Sequence, residues 1–202
     1  MFISQTFSSE SAPSSASPKS DLRAAKPSRD GFMALPRNRI TVVLDGVTGS
    51  YNQGALFRLC DAFLIEKLVV CAAMIDLRQR RLIQAARGAQ HWVPWELSAD
   101  AATAVRQLKT AKYTVVAAEL CPSSEPVETI IAHSPMALVL GGERHGVSAS
   151  VLELADQIVA IPMAGMSNSL NVAMTGAILL HAIATKGNFI LDDKSGGQKL
   201  CE

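Results

Sequence analysis

The chain has 202 residues, 49% apolar and 18% charged, with a formal net charge of +1. That length gives one domain with a sizeable core, and the near-neutral balance excludes a bulk field that would drive nucleic-acid or membrane association. The four cysteines (Cys60, Cys71, Cys121, Cys201) and the four histidines are scattered, with no C-x-x-C pair; this argues against a zinc site or disulfide framework and suits a reducing, cytoplasmic compartment.

The N-terminus lacks the basic-then-apolar layout of a secretory signal. No apolar run reaches membrane-spanning length, because Glu66, Lys67 and His181 interrupt the best candidates. Residues 1–36 are rich in Ser, Ala and Pro without a hydrophobic period, and read as a disordered tail. Through residue 39 the balance is net +3, and the remainder of the chain is net −2. The expected domain runs over 37–190, and 191–202 reads as a flexible C-terminus.

From Ile40 the pattern alternates. ITVVLDGV (40–47) predicts a strand and NQGALFRLCDAF (52–63) a helix with Asn52 as its N-cap. KLVVCAAM (67–74) predicts a strand, RQRRLIQAAR (78–87) a helix, and HWVPWEL (91–97) a short extended piece. DAATAVRQLK (100–109) predicts a helix and YTVVAAEL (113–120) a strand. MALVLGG (136–142) predicts a strand, SASVLELAD (148–156) a helix and QIVAIPM (157–163) a strand. The last helix is expected from about Asn168 to Thr185. Near-continuous Val, Ile, Leu and Ala strands separated by helices imply an α/β fold, a largely parallel sheet with helices on both faces. Ligands of such sheets bind beyond the carboxyl ends of the strands.

Four stretches have chemistry to offer. In LVLGGERHGV (138–147), Gly141, Gly142 and Gly146 have the spacing of neither a dinucleotide fingerprint nor a phosphate-cradling loop. In the 52–63 helix, Ala55, Leu56, Leu59, Ala62 and Phe63 share one arc and Arg58 lies just outside it. In the 78–87 helix, Arg80, Arg81, Gln84 and Arg87 share an arc opposite Leu82, Ile83 and Ala86. SNSLNVAMTG (167–176) sets Ser167, Asn168, Ser169 and Asn171 before an apolar helix, more polar residues than one cap needs. The nucleophile-elbow pattern G-x-S-x-G is absent. Taken singly, the glycine pair reads as a tight turn with Glu143 and Arg144 in solvent, and Arg58 as an ordinary surface arginine. The arginine arc reads equally as a solvated face or a phosphate-binding surface. Trp92 and Trp95 read as packing residues.

Taken in order, N-x-G-A-x-x-R at 52–58, L-G-G-E-x-x-G-V at 140–147 and I-P-M-x-G-x-x-x-S-L-N-V at 161–172 resemble the three motifs of the SPOUT methyltransferases, in their TrmH/SpoU branch of RNA 2′-O-ribose methyltransferases. The resemblance spans about 38–186. It implies a C-terminal trefoil knot, which base rates alone would reject, holding S-adenosylmethionine in a bent shape. Carried over by position, Asn52, Arg58, Glu143, Ser169 and Asn171 are the catalytic set. Leu140, Gly141, Gly142, Ile161, Met163 and Leu170 would cradle the cofactor, and no metal is implied. The implied partners are tRNA or rRNA and a second copy of the chain, with AILLHAIA (177–184) serving both core and dimer contact. The family often has Ser after S-L-N-V, where this chain has Ala173.

The implied reaction is attack of a ribose 2′-oxygen on the cofactor's methyl. A guanidinium is a demanding general base. Arg58, oriented by Glu143 and Asn52, would instead grip the adjacent phosphate and stabilise developing alkoxide charge. Lys19, Arg23, Lys26 and Arg29 of the tail would add RNA affinity. The alternatives are a non-catalytic RNA-binding relative of the same fold, which the filled motif positions disfavour, and an unrelated α/β enzyme with a nucleotide cofactor, which the failed phosphate-loop patterns disfavour.

Overall fold

The computed structural model describes residues 28–167 and 169–187. The expectations for Lys19, Arg23, Lys26, Asn168 and the 191–202 segment fall outside these residues. The chain divides into two units, Met1–Leu35 and Pro36–Glu202. In the first, helix α1 (Arg29–Met33) lies within the segment read as a disordered tail. Its start is fixed locally: the Ser28 hydroxyl accepts from the Gly31 amide at 3.2 Å, and Asp30 sits in the first turn.

The second unit runs β1 (Asn38–Asp45), α2 (Ser50–Ala62), β2 (Ile65–Cys71), α3 (Arg80–Ala86), β3 (Trp95–Ser98), α4 (Ala101–Thr110), β4 (Thr114–Ala118), β5 (Glu125–Pro126), β6 (Met136–Gly141), α5 (Ala149–Leu152), β7 (Gln157–Ala160) and α6 (Val172–Lys186). Short 3₁₀ turns occupy Ala89–His91 and Val127–Thr129. The seven strands form one sheet in the order β3-β2-β1-β6-β4-β7-β5, and every recorded pairing is parallel. After β4 the chain visits the edge at β5, returns to place β6 between β1 and β4, then crosses β4 again to β7.

Alternating side chains divide the core into two layers. Val42 and Leu44 of β1, Leu138 and Leu140 of β6 and Val159 of β7 pack against Leu56 and Phe57 of α2, Leu82 of α3 and Leu179, Leu180 and Ile183 of α6. Val43, Val69, Val115 and Val139 face Ala101, Val105 and Leu108 of α4 and Val151 of α5 on the other side. Burial on both faces is why these strands read as continuous apolar runs.

Several elements differ from the sequence reading. The last helix starts at Val172, where the Asn171 side chain caps it. The 148–156 helix shrinks to Ala149–Leu152. The apolar arc of α2 is rotated: Gln53, Gly54, Leu56, Phe57 and Cys60 are buried, whereas Ala62 is exposed. Gln53 tolerates burial by donating to the carbonyls of Val47 at 2.9 Å and Met74 at 3.1 Å. Trp92 and Trp95 pack as expected. The Trp92 indole donates to Asp61 at 2.7 Å, and Trp95 meets the Phe57 ring edge-on at 6.0 Å.

Candidate active site

A pocket of about 420 Å³ opens at the carboxyl ends of β4, β6 and β7, where parallel sheets place their ligands. Its walls come from residues 118–120, from Leu140–Glu143 with Gly146, from Val159–Ile161, and from the loop leading into α6. Leu140, Gly141, Gly142, Ile161, Met163 and Leu170, the predicted cradle, all line it, and so do Glu143, Ser169 and Asn171.

The glycines act through the chain's own backbone. A Cβ on Gly141 would come within 2.1 Å of the Gly146 carbonyl carbon, and one on Gly142 within 2.3 Å of the Gly46 carbonyl oxygen. The pair therefore lets the 45–47 and 146–147 loops close on the end of β6, with the Gly142 amide donating to the Asp45 carbonyl at 2.8 Å. The closure rests on two glycines in the left-handed region, Gly46 at φ +70° and Gly146 at φ +63°.

One polar chain joins three separated motifs. The Asn52 amide donates to the Glu143 carboxylate. The Asn171 amide donates to the Asn52 Oδ1 at 2.9 Å, and the Asn171 Oδ1 accepts from the Ala173 backbone at 2.9 Å. Asn171 is thus both the N-cap of α6 and a pocket residue. Asn52 is not an N-cap: that place is taken by Gly49, and Asn52 sits inside α2, 8% exposed. Its burial is explained by the two polar partners.

Arg58 stands apart. It is exposed on α2, six residues and about 9 Å along the axis from Asn52, and does not line the pocket. Glu143 and Asn52 bind each other, so the expected orienting contacts to Arg58 are absent among the described residues. Sequence reasoning passed over Glu119. Its carboxylate lines the pocket and accepts from the Val147 amide at 2.7 Å, tying the β4 end to the 141–147 loop. The signal was available, since Glu119 is the acidic residue at the carboxyl end of YTVVAAEL. Among the described residues lining the pocket, Glu119 and Glu143 carry charge and there is no Lys, Arg or His. Such a pocket suits a ligand with positive charge and an apolar body.

Cys60 and Cys71 are buried and free, and burial pushes the Cys71 thiol up to about 12. Neither is poised as a nucleophile. Among the described residues there is no cluster of metal-ligating side chains, and no helix is long and apolar enough to cross a membrane.

The model of the SpoU rRNA methylase family matches residues 39–181, well over half of the chain. The chain belongs to this family. It is 31% identical over 150 residues to the tRNA (guanosine(18)-2′-O)-methyltransferase of Escherichia coli, covering 74% of this chain and 65% of that protein. The chain thus spans about two thirds of the length of the first relatives it matches. Among solved structures, the A. aeolicus TrmH/SpoU tRNA modifying enzyme superposes with a TM-score of 0.69 at 26% identity, covering 83% of each chain. An AdoMet-bound rRNA methyltransferase from Sinorhizobium meliloti superposes with a TM-score of 0.68 at 25% identity, over 76% of this chain and 59% of that one. The SpoU match spans all three motifs, from β1 to His181 in α6.

Proposed function

We propose that the protein transfers a methyl group from S-adenosylmethionine to a ribose 2′-hydroxyl of tRNA or rRNA. The observation that carries this reading is the hydrogen-bonded chain Glu143–Asn52–Asn171 at the rim of a pocket lined by the matching family positions. The pocket fits the cofactor by its chemistry: apolar walls from Leu140, Ile161, Met163 and Leu170, two carboxylates, and no competing cation among the described lining residues. When bound, the cofactor supplies an already activated methyl. The protein then has to position the ribose and stabilise its oxygen.

In this reading Asn52 and Asn171 tie the start of α6 to α2, and Glu143 fixes Asn52. Ser169 faces the nucleotide. Arg58, free in solvent, meets the RNA phosphate beside the target ribose and stabilises the developing alkoxide. The C-terminal crossing of β4, β6 and β7 is where the family's trefoil knot would lie. A second copy of the chain would cover the flank of α2 and α6 where Tyr51 (61% exposed), Met174 (61%) and Ile178 (40%) are open. Within AILLHAIA, Leu179, Leu180, Ile183 and Ala184 are committed to the chain's own core, leaving Ile178 for that contact. In this reading the protein works on RNA in the cytoplasm, as its scattered, unpaired cysteines suit.

Calorimetry with S-adenosylhomocysteine in the presence of a chelator tests the reading. One site per chain is expected, without metal, and no binding would overturn it. Light scattering at micromolar concentration should give twice the chain mass, and a monomer would overturn the dimer.

A further inference from the structure

We propose that the exposed arginines of α3 and its C-cap, Arg80, Arg81 and Arg87, form an RNA-docking surface, separate from the methyl-transfer pocket, that grips the phosphate backbone flanking the target nucleotide. This rests on the RNA methyltransferase reading above and adds where the substrate is held.

The surface is built from sequence and packing together. Residues 77–95 contain four arginines and no Asp or Glu, in a chain whose residues beyond 39 are net negative. Arg80, Arg81 and Arg87 are all exposed, together with Gln84, while Leu82 and Ala86 are buried beneath them. Among the described residues none of these three arginines has an ion-pair partner; Arg78 pairs with Asp76. Lys109 and Lys67, by contrast, pair with Asp156 at 2.5 Å and with Glu96 at 2.8 Å. Unpaired guanidiniums on a short rigid helix are the donors that phosphate oxygens require.

The helix is locked to the site-bearing element. A Cβ on Gly54 would lie 2.4 Å from the Leu82 carbonyl oxygen, so α3 and α2 touch backbone to backbone. Arg58 follows Gly54 by four residues and so lies on nearly the same edge of α2, one turn on. The basic surface therefore begins at Arg58 and continues onto α3. A polyanion whose ribose reaches the pocket rim would meet Arg58 first and the α3 arginines beyond it. The charge on this face is complementary to RNA, and its apolar exposure is small: Ile83, at 45%, is the large apolar side chain open on α3.

The test compares wild type with Arg80→Gln/Arg81→Gln/Arg87→Gln, and with Arg106→Gln on α4, across the sheet, as control. Arg87 occupies the left-handed region at φ +54°, so Arg80→Gln/Arg81→Gln is the second variant should the triple one melt early. RNA affinity is measured by filter binding between low and moderate salt, with S-adenosylhomocysteine affinity and methylation kinetics in parallel. The triple variant should flatten the log Kd against log salt slope by about 2. It should raise KM for RNA with kcat unchanged, and leave S-adenosylhomocysteine affinity at the wild-type value. The Arg106 variant should match wild type. An unchanged slope and KM in the arginine variants, or an equal change in the Arg106 variant, would overturn the docking surface while the methyltransferase reading stands. Wild-type protein without salt-dependent RNA binding would overturn both.

Discussion

Asn171 makes two bonds that separate cleanly by substitution. Its Oδ1 caps α6 through the Ala173 amide, and its Nδ2 donates to Asn52, each at 2.9 Å. Replacing an Asn N-cap by Ala costs about 1 kcal/mol. Losing the donation costs about another 1 kcal/mol net, with a further penalty because Asn52 is 8% exposed and its Oδ1 loses a partner. Asn171→Ala should therefore destabilise by about 2–3 kcal/mol and lower Tm by roughly 5–10 °C. Asn171→Asp keeps the cap oxygen and loses the donor, so it should recover the capping part alone. Thermal melts by circular dichroism read the first effect. A double-mutant cycle with Asn52→Ala should return a coupling of about 1 kcal/mol. Titration with S-adenosylhomocysteine should show weaker binding in both Asn171 variants, since the loop that lines the pocket is held by this contact. An Asn171→Ala protein melting within about 1 °C of wild type, or an Asp variant as damaged as the Ala one, would refute this division of roles.

Gly54→Ala should destabilise by about 1–3 kcal/mol despite Ala's better helix propensity, because the new methyl meets a backbone carbonyl that cannot swing away; a melt showing a more stable variant would contradict the close α2–α3 contact. Arg58→Ala should leave folding and S-adenosylhomocysteine affinity intact while methyl transfer falls roughly a hundredfold, and Arg58→Lys should recover little because it loses the planar fork; full activity with Lys would reduce Arg58 to simple charge. The Thr103 amide and hydroxyl, both donating to the Asp100 carboxylate, hold that carboxyl below the ordinary carboxylate value. Its contribution to stability is complete above the ordinary value and is lost as pH falls through the depressed one. Asp100→Asn keeps a cap for α4 without the titration, so its Tm should fall less than that of wild type between about pH 5 and about pH 2.

The fold was legible where burial is two-sided. β1, β2, β4, β6 and β7 announce themselves as Val, Leu and Ala runs, and each expected helix between them exists. What failed was local. Asn52 looks like a cap because Asn is a cap residue, but a buried position with two polar partners accepts it equally well, and those partners lie far away in sequence, at Glu143 and Asn171. The arc of α2 was misplaced because helical periodicity cannot say which neighbours cover a helix; α3 does so through Gly54. β5 is two residues long and was invisible. The pocket lining was legible only through the resemblance of the second and third motifs to the family, at 140–147 and 161–172. Glu119 was not, since it belongs to none of them, and the separation of Arg58 from the pocket is set by which side of α2 faces solvent.

Methyl transfer to a ribose oxygen is read out by nucleoside mass spectrometry. Purified protein is incubated with S-adenosylmethionine carrying a labelled methyl and with unmodified tRNA and rRNA in separate reactions, and the RNA is digested to nucleosides. Label is expected in a 2′-O-methyl nucleoside, dependent on Arg58 and abolished by S-adenosylhomocysteine. Label on a base instead of a ribose, or none in either RNA from protein that binds S-adenosylhomocysteine, would contradict it.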